Sequence, residues 1–482
     1  MTKQPNVVMI ITDQQRADTM ACYGNTVIKT PNLNKLADES FVFENAYVSQ
    51  PICTPSRSTL LTGLFPHATG CGINNLPLSS DVPTLAEMAP PEYLTAYYGK
   101  WHLGNEVTLQ RGFDEWLSCE DQYRKYYTSD SLLEDLSDYH HYLVDQGFVP
   151  DLEDMGQLTF SRDFAAALPI EHSRAMFLAD RTSEFIETNK DRPFMICVGI
   201  LEPHPPYENA LGDIHDPDEV TFGEAFMQSP GEHASKLNQS RETDVPSEVT
   251  TEADWRKLKA KYWGNVSMVD RAVERIVGAL ESAGIDDETL VIFTSEHGDQ
   301  MGEHNILEKS VLYEESARVP MLMKAPWIAS ANKRIEGRFS LVDLVPTVLE
   351  MIGAEVPDRL HGRSRLPVLE GDETLAGNDV VVEWNGRNLE PSKKGEEFDR
   401  IQNARKRALI GSDGWKLVVG LEDKNELFDL NTDPAELINL IDSEDHRARG
   451  EGMLTTLINW QKTVSDDMEL PTAEDLSSVE NS

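Results

Sequence analysis

The amino-acid sequence is poor in cysteine and contains no long apolar segment. Its five cysteines are widely spaced, and no two of them form a Cys-x-x-Cys pair. An odd, scattered set of this kind suggests neither a zinc cage nor a disulfide framework. No apolar run approaches the roughly 20 residues that a membrane-spanning helix needs. We therefore expect no membrane partner.

Positive charge is also scarce, because 43 lysines and arginines stand against 83 acidic residues and give a formal net charge of -40. This charge excludes nucleic acid as a partner, since phosphate binding needs a basic surface. The same charge repels long polyanions at low salt, which favours a small substrate. A salt-adapted protein and an ordinary acidic protein both fit this composition.

The chain length and the first residues bear on domain organisation and compartment. A chain of 482 residues can hold one large domain and a smaller one, which we predict at residues 1–370 and 371–482. Residues 1–11 lack the long apolar segment and the cleavage site of a signal peptide. We expect a cytoplasmic protein, or an exported one if the chain has been trimmed.

Four short apolar runs are typical of buried parallel strands, and ionisable residues follow each of them. The runs and the residues after them are 7–11 with Asp13, 93–98 with Lys100 and His102, 193–201 with His204, and 289–293 with Glu296 and His297. Because the carboxyl ends of parallel strands lie along one edge of a sheet, we expect these side chains to converge.

The rest of the chain is less regular. Residues 119–160 and 209–247 lack periodicity, and we expect an irregular insertion and a long surface loop there, both near the pocket. A long helix is predicted at 253–282, with Gly284 as its stop. Beyond residue 371, shorter alternating runs predict a small antiparallel sheet.

A helix start, a cysteine and an arginine fall together within residues 53–63. Thr54 is predicted to cap a helix, Pro55 to occupy its first position and Gly63 to end it. Such a helix directs backbone N–H groups and the positive end of its dipole towards Cys53, with Arg57 one turn further on. The stretch indicates an anion site with a potential nucleophile, although a capped helix with a buried cysteine has the same pattern.

Asp13, Glu296 and His297 together offer two oxygen donors and one imidazole, a set that suits calcium, magnesium or manganese. Each of them alone is more often a cap or a solvated group. Acids gathered at one buried edge, however, would repel each other strongly without a cation. We therefore predict a divalent metal site at this edge.

Further cations and histidines are expected around the metal, where they would stabilise charge on a tetrahedral oxyanion. These residues are Arg57, Lys100, His102, His204 and Lys309. Lys309 taken alone would fit a surface ion pair better than a role at the site.

Across most of its length the sequence resembles the sulfatase family of the alkaline phosphatase superfamily. The motifs that carry the resemblance are, in chain order, Asp13 at a strand end, Thr30-Pro31-Asn32-Leu33, Cys53-Thr54-Pro55-Ser56-Arg57, Gly99-Lys100-Trp101-His102-Leu103-Gly104, Pro203-His204, Thr294-Ser295-Glu296-His297-Gly298, Tyr313-Glu314-Glu315-Ser316, and Glu426-Leu427-Phe428-Asp429-Leu430 with Asp433-Pro434. The resemblance implies an α/β fold with a large, mostly parallel mixed sheet sandwiched by helices, and a smaller C-terminal α+β subdomain with an antiparallel sheet.

The resemblance also implies hydrolysis of a sulfate ester to an alcohol and inorganic sulfate. A maturation enzyme would convert Cys53 to formylglycine, whose hydrated aldehyde attacks sulfur. The residues implied to bind the metal, with calcium expected before manganese or magnesium, are Asp13, Glu296, His297 and the residue derived from Cys53. Arg57 and Lys100 would hold that residue and the sulfate.

Proton transfer is likewise implied by the resemblance. His102 would take a proton from the hydroxyl that remains on the sulfated residue. His204 and Lys309 would bind sulfate and assist the leaving alcohol, one of them as general acid.

Two positions depart from the family pattern. Gln14 stands where many sulfatases have a second aspartate, and Glu296 stands where aspartate is usual. Both changes bring the site closer to phosphonate monoester and phosphodiester hydrolases with the same nucleophile, which are the alternative function. A non-catalytic, metal-containing glycan-binding protein is a further alternative.

Sequence leaves the substrate and the oligomeric state open. We expect a small sulfated molecule or a sulfated oligosaccharide. The segments expected to select it are residues 119–160, 209–247 and 383–406.

Overall fold

The computed structural model describes residues 4–330, 333–388 and 391–477, which contain a large and a small β-sheet. The strands are β1 Asn6–Asp13, β2 Phe41–Tyr47, β3 Leu94–Gly99, β4 Glu115–Leu117, β5 Leu152–Asp154, β6 Gln157–Thr159, β7 Phe194–Pro203, β8 Thr289–Ser295, β9 Arg318–Val319, β10 Met321–Lys324, β11 Arg334–Ser340, β12 Val380–Trp384, β13 Lys406–Ile410, β14 Trp415–Val419 and β15 Glu426–Asp429. Strands β5 and β6 form a separate hairpin.

The large sheet has the order β11–β2–β10–β8–β1–β7–β3–β4, with β9 also paired to β2. Strands β8, β1, β7 and β3 are neighbours and all run parallel. Strand β10 is antiparallel to both of its neighbours. The four predicted strands therefore form the parallel centre of a mixed sheet, as expected, and their carboxyl ends share one edge.

Helices cover both faces of this sheet. The α-helices of the described residues, in this layer and elsewhere, are α1 Pro31–Glu39, α2 Cys53–Thr62, α3 Pro66–Thr69, α4 Leu85–Met88, α5 Asp138–Asp145, α6 Arg162–Ala166, α7 Arg174–Asn189, α8 Lys236–Arg241, α9 Glu252–Ala283, α10 Glu314–Ala317, α11 Leu344–Met351, α12 Leu366–Glu370, α13 Glu396–Asn403 and α14 Arg447–Val464. None of the described helices is both long enough and apolar enough to cross a membrane.

Strand β1 shows why the centre of the sheet is apolar throughout. Val7, Met9 and Ile11 face a core that includes α2 and α11, whereas Val8 and Ile10 face a core that includes α1, α7 and α9. A strand buried on both faces has no polar alternation, which is the pattern in the sequence. The long helix α9 begins at a Thr251–Asp254 capping box and ends at Gly284, which confirms its predicted stop.

The small sheet is antiparallel, in the order β12–β13–β14–β15. This confirms the sheet predicted beyond residue 371. Helix α14 covers one of its faces. The other face packs against the main body, where Trp384 belongs to the same apolar cluster as Tyr47 and Ile52. Because Ile52 precedes Cys53, the small sheet lies close to the start of α2.

Both predictions of irregular structure were only partly right. Residues 119–160 contain α5 and the β5–β6 hairpin, and residues 209–247 contain α8. Helix α5 is too short to show a periodic pattern, but Tyr139 and Leu143 are buried in a core of the large sheet. Long-range packing therefore stabilises helices here that local sequence does not reveal.

Candidate active site

Helix α2 carries Cys53 on its first turn, but its amino terminus differs from the prediction. The helix begins at Cys53 itself, and Ile52 occupies the cap position without a side-chain cap. Asn74 Oδ1 accepts the Thr54 N–H at 3.0 Å, so a distant side chain satisfies this end of the helix. Thr54 Oγ1 instead donates to the His102 carbonyl at 2.8 Å. The predicted Thr54 cap is therefore wrong, whereas Gly63 ends the helix as expected, with a φ of 68°.

The predicted metal-binding side chains meet at the carboxyl edge of the sheet. The Cys53 Sγ atom lies 3.3 Å from His297 Nε2 and 4.0 Å from Asp13 Oδ1. His297 Nε2 lies 3.5 Å from Asp13 Oδ1 and 3.3 Å from Glu296 Oε1. All four residues are buried, and one donor atom from each lies within 4.8 Å of the others. The geometry brings together the complete predicted ligand set.

The donor set fits a divalent cation. His297 Nδ1 lies 3.0 Å from the Gly298 carbonyl, and a hydrogen bond there leaves Nε2 as a lone-pair donor towards the cluster. Burial by itself lowers the pKa of His297, but Cys53 and Glu296 raise it to about 10. The negative charge around this ring is therefore strong enough to attract a proton. A bound metal ion would supply positive charge at this place instead of the proton.

Two buried cations partly balance the acids. Lys100 Nζ lies 2.5 Å from Asp13 Oδ2 and 3.6 Å from Glu296 Oε1. Burial by itself raises the pKa of Asp13, but Lys100 and the nearby basic residues hold it well below its usual range. Arg57 forms an ion pair with Glu296 and donates to the Lys100 carbonyl at 2.7 Å. Each of the two cations thus contacts at least one of the metal-ligand candidates.

His102 is oriented as a neutral base. Its Nε2 lies 2.7 Å from Asn75 Oδ1, an atom that only accepts, so Nε2 carries the hydrogen and Nδ1 is left with a lone pair. The ring stacks on Tyr123 with centroids 3.8 Å apart. Burial, followed by Lys100 and Arg57, holds the pKa of His102 well below its usual value. The imidazole is therefore neutral and able to accept a proton at neutral pH.

Lys309 and His204 differ in their charge state. Lys309 Nζ donates to Gln14 Oε1 at 2.5 Å, and Gln14 Nε2 donates to Asp299 Oδ2 at 2.6 Å. Burial lowers the pKa of Lys309, but Glu308 and other acidic groups raise it above its usual value. Burial and Lys309 lower the pKa of His204 well below its usual value. Lys309 is thus the charged member of the pair.

Several contacting residues were missed by sequence reasoning. Asn74, Asn75 and Tyr123 follow no apolar run that could have marked them. Asp299 lies two residues after His297, beyond the end of β8, so its position in the sequence was a usable signal. A weak signal existed for Tyr123, which lies in the insertion that was predicted to shape the pocket. Gln14 was noticed as a departure, and its side chain contacts Lys309 and Asp299.

A buried cluster that could hold a divalent cation, a nucleophile candidate and ionisable side chains meet at the carboxyl edge of this sheet, which is the arrangement of a hydrolase active site. The family matches place this hydrolase in the alkaline phosphatase superfamily. The sulfatase family model matches residues 5–354, and the chain belongs to the sulfatase family. A second model, described as N-sulphoglucosamine sulphohydrolase, C-terminal, matches residues 302–463. The protein is a sulfuric ester hydrolase.

Known proteins similar to this chain include two sulfatases. An N-acetylglucosamine-6-O-sulfatase of Bacteroides thetaiotaomicron is 25% identical, over 97% of this chain and 88% of the relative. An arylsulfatase of Clostridium perfringens is 27% identical, over 94% of each chain. Among solved structures, the phosphonate monoester hydrolase of Agrobacterium radiobacter superposes with a TM-score of 0.75 and 25% identity, covering 95% of this chain and 96% of that one.

Proposed function

We propose that the chain hydrolyses the sulfate ester of a small sulfated sugar, with a formylglycine made from Cys53 as the nucleophile. The observation that carries the proposal is the position of Cys53 Sγ, 3.3 Å from His297 Nε2 and 4.0 Å from Asp13 Oδ1. An inert core cysteine needs neither metal-ligand candidates nor a helix amino terminus beside it. The activity named for the Bacteroides relative supports a sugar as substrate.

A bound divalent ion would stabilise negative charge on a sulfate oxygen, and the hydrated aldehyde would supply the attacking oxygen. Asp13, Glu296 and His297 would hold that ion, because their donor atoms already face the Cys53 sulfur. Lys100 and Arg57 would fix these ligands and stabilise the charge that develops nearby.

The two proton-transfer roles fall to different residues. His102 would act as the base, because its ring is neutral and Nδ1 has no hydrogen-bond partner in the described part of the chain. Lys309 would donate a proton to the leaving alcohol, since its pKa is raised and its ammonium group is held by Gln14. His204 Nδ1 lies 2.8 Å from the Pro205 carbonyl and therefore carries the hydrogen of the neutral ring. Nε2 then has no hydrogen that it could donate to the sulfate. His204 thus offers the lone pair of Nε2, and Lys309 is the better general acid.

Mass spectrometry and one substitution test this proposal. The peptide that contains Cys53 should be about 18 daltons lighter in the active protein, as expected when a thiol becomes an aldehyde. Cys53→Ala should abolish turnover of an aryl sulfate and of a 6-sulfated amino sugar. Co-expression with a formylglycine-generating enzyme, which we propose as the maturation partner, should raise both the modified fraction and the activity. A fully active protein with an ordinary thiol at this position would overturn the mechanism.

Calcium is the ion that we propose for the site, because carboxylate oxygens dominate the charged ligands. Removal of divalent ions by a chelator should abolish activity, and calcium should restore it. Full recovery with manganese or magnesium, but not with calcium, would assign the site to that ion instead.

Phosphonate monoester hydrolysis is the second candidate function. It is favoured by Gln14, whose neutral amide stands where many sulfatases have a charged ligand and whose Oε1 accepts a hydrogen bond from Lys309 Nζ. The similarity of the fold to a phosphonate monoester hydrolase also supports this candidate function. Side-by-side turnover of an aryl sulfate and an aryl phosphonate monoester separates the two. A larger kcat/KM for the sulfate is expected.

A further inference from the structure

A second group of cations lies outside the site described above. Arg241, Arg387 and Lys394 all form ion pairs with Asp244, and Arg387 Nη1 lies 3.3 Å from Asp244 Oδ2. Lys394 Nζ also donates to Thr243 Oγ1 at 2.7 Å. Three cations thus share one carboxylate. This local excess of positive charge is unusual on a chain with a formal net charge of -40.

The positive charge of this cluster is incompletely satisfied. The Arg241 side chain is fully buried, and its Nε and Nη2 atoms have no hydrogen-bond partner within the described ranges. Burial, followed by the charge of Arg387, lowers the pKa of Arg241 to about 10. Buried guanidinium groups normally have charged or polar partners, because leaving one unpaired is costly. The cluster therefore has the composition of an anion site.

The cluster borders the candidate active site on two sides. The Arg387 carbonyl accepts the Asn74 N–H at 3.0 Å, and Asn74 Oδ1 accepts the Thr54 N–H at 3.0 Å. Arg387 is therefore linked through one residue to the first turn of α2. On the other side, Asn305 Nδ2 donates to Glu242 Oε1 at 3.1 Å, which ties the segment that precedes Lys309 to the residue after Arg241.

We propose that Arg241, Arg387 and Lys394 form a subsite for a second anionic group of the substrate. The side chains of Arg387 and Lys394 are 28% and 38% exposed, so both can contact an oxyanion directly. Arg241 is buried and pairs with the same carboxylate, Asp244, so its charge adds to theirs. The inference rests on the proposed function and names its substrate class, a sulfated sugar that carries another sulfate or a carboxylate. Arginine and lysine suit both oxyanions.

Matched substrates test the subsite. The set is N-acetylglucosamine 6-sulfate, N-sulfoglucosamine 6-sulfate, and N-acetylglucosamine 6-sulfate linked to a uronic acid. The wild-type enzyme should have a larger kcat/KM for at least one doubly anionic sugar than for the singly anionic one. The sugar with the larger value shows whether the second group is a sulfate or a carboxylate.

Arg387→Gln and Lys394→Gln should each lower the ratio of kcat/KM between the doubly and singly anionic sugars by about tenfold, the loss expected for one charge-assisted hydrogen bond. Arg400→Gln is the matched control, because it also removes one positive charge nearby but breaks only the exposed ion pair with Glu397. It should leave the ratio unchanged. Equal melting temperatures would verify that the variants are folded.

An unchanged ratio in both subsite variants, or no wild-type preference for a second anion, would overturn the subsite. Failure of the proposed function looks different, since the wild-type enzyme would then turn over none of the sugars. In that case, calorimetry on Cys53→Ala with N-sulfoglucosamine 6-sulfate and the uronic acid disaccharide still decides the question. Weaker binding of either sugar to the Cys53→Ala, Arg387→Gln double variant than to Cys53→Ala supports the subsite. Equal binding of both sugars to the two proteins overturns it.

Discussion

At the scale of single residues, the buried ionisable side chains at the carboxyl edge of the large sheet differ in the charge that they carry. His102 and His204 are buried beside lysines, and their pKa values fall well below the usual value. Lys309 lies close to acidic groups, and its pKa rises. One edge of the sheet therefore offers neutral imidazoles and a protonated amine at the same pH, which is what base and acid catalysis require.

Lys309→Gln tests the assignment of the general acid. The variant should lose about a hundredfold in kcat/KM on alkyl sulfates, because an alkoxide is a poor leaving group without a proton. The loss should be much smaller for 4-nitrophenyl sulfate, whose leaving group needs no proton. The measurement is the dependence of kcat/KM on the leaving-group pKa, which should steepen. His204→Gln is the comparison, and a steeper slope in that variant alone would reassign the acid.

The pH dependence of turnover tests His102 as the base. The base must be neutral to accept a proton, and the pKa of His102 lies well below its usual value. Activity should therefore persist as pH falls through about 6.5, where an unperturbed histidine becomes protonated, and decline only at more acidic pH. A kcat profile that already loses half its value near pH 6.5, and keeps this decline in His102→Asn, would exclude His102 as the titrating base.

Sequence predicted the charged residues of the site better than its polar ones. Asp13 and Glu296 come two and three residues after apolar runs, so the strand pattern placed them at one edge of the sheet. Asn75 and Tyr123 lie in segments whose course is determined by distant contacts, such as the bond from Asn75 N–H to Thr54 Oγ1 at 3.0 Å. Local patterns carry no information about such contacts.

At the scale of elements, helix α2 shows how an end of a helix can depend on the whole fold. Its carboxyl terminus is local, because Gly63 adopts a φ of 68° and its N–H bonds to the Thr59 carbonyl. Its amino terminus is not local, because Asn74 supplies the acceptor from 20 residues away. The first end was predictable from one glycine, and the second was not predictable from Thr54.

Gly63→Ala tests how tightly α2 is held. A Cβ atom at this position would lie 3.1 Å from Val345 Cβ, and the backbone has a φ that disfavours L-residues. We expect a loss of about 3 kcal/mol in the free energy of unfolding, from backbone strain and overpacking together. Denaturant unfolding measures it.

Gly371→Ala is the matched control for that substitution. Gly371 also ends a helix with a positive φ, but no atom lies within 4 Å of its Cβ position. Backbone strain alone should cost about 1 kcal/mol there. Equal losses in the two variants would mean that contact between α2 and α11 does not constrain the carboxyl end of α2.

At the scale of the whole molecule, the formal net charge of -40 should oppose folding at low ionic strength. Raising sodium chloride from about 0.01 M to about 0.1 M shortens the Debye length from roughly 30 Å to roughly 10 Å. The melting temperature should rise over this interval, because repulsion between surface acids is screened. Calorimetry in sodium chloride and in potassium chloride measures the shift, and an unchanged melting temperature in both would contradict the prediction.

The contact between the main body and the small sheet contains a histidine that should make stability depend on pH. His67 Nδ1 lies 2.5 Å from Glu383 Oε1, and Nε2 lies 3.1 Å from the Val464 carbonyl. Both partners are acceptors, so the ring is satisfied only when both nitrogens carry hydrogen. Burial lowers the pKa of His67, but the hydrogen bond and charge of Glu383 raise it above 6.5. The contact therefore joins α3, β12 and the end of α14 most strongly when His67 is charged.

His67→Gln tests this contact. Because the folded-state pKa is raised, the contribution of His67 is fully present below about pH 6.5 and is lost as pH rises through the folded-state value. The variant should be destabilised by about 2 kcal/mol at pH 6, the loss expected for hydrogen bonds to a charged group, and by much less at pH 9. Denaturant unfolding at the two pH values measures the difference, with the exposed His141→Gln as control. An equal loss at both pH values would show that packing of the ring, and not its charge, holds the small sheet to the main body.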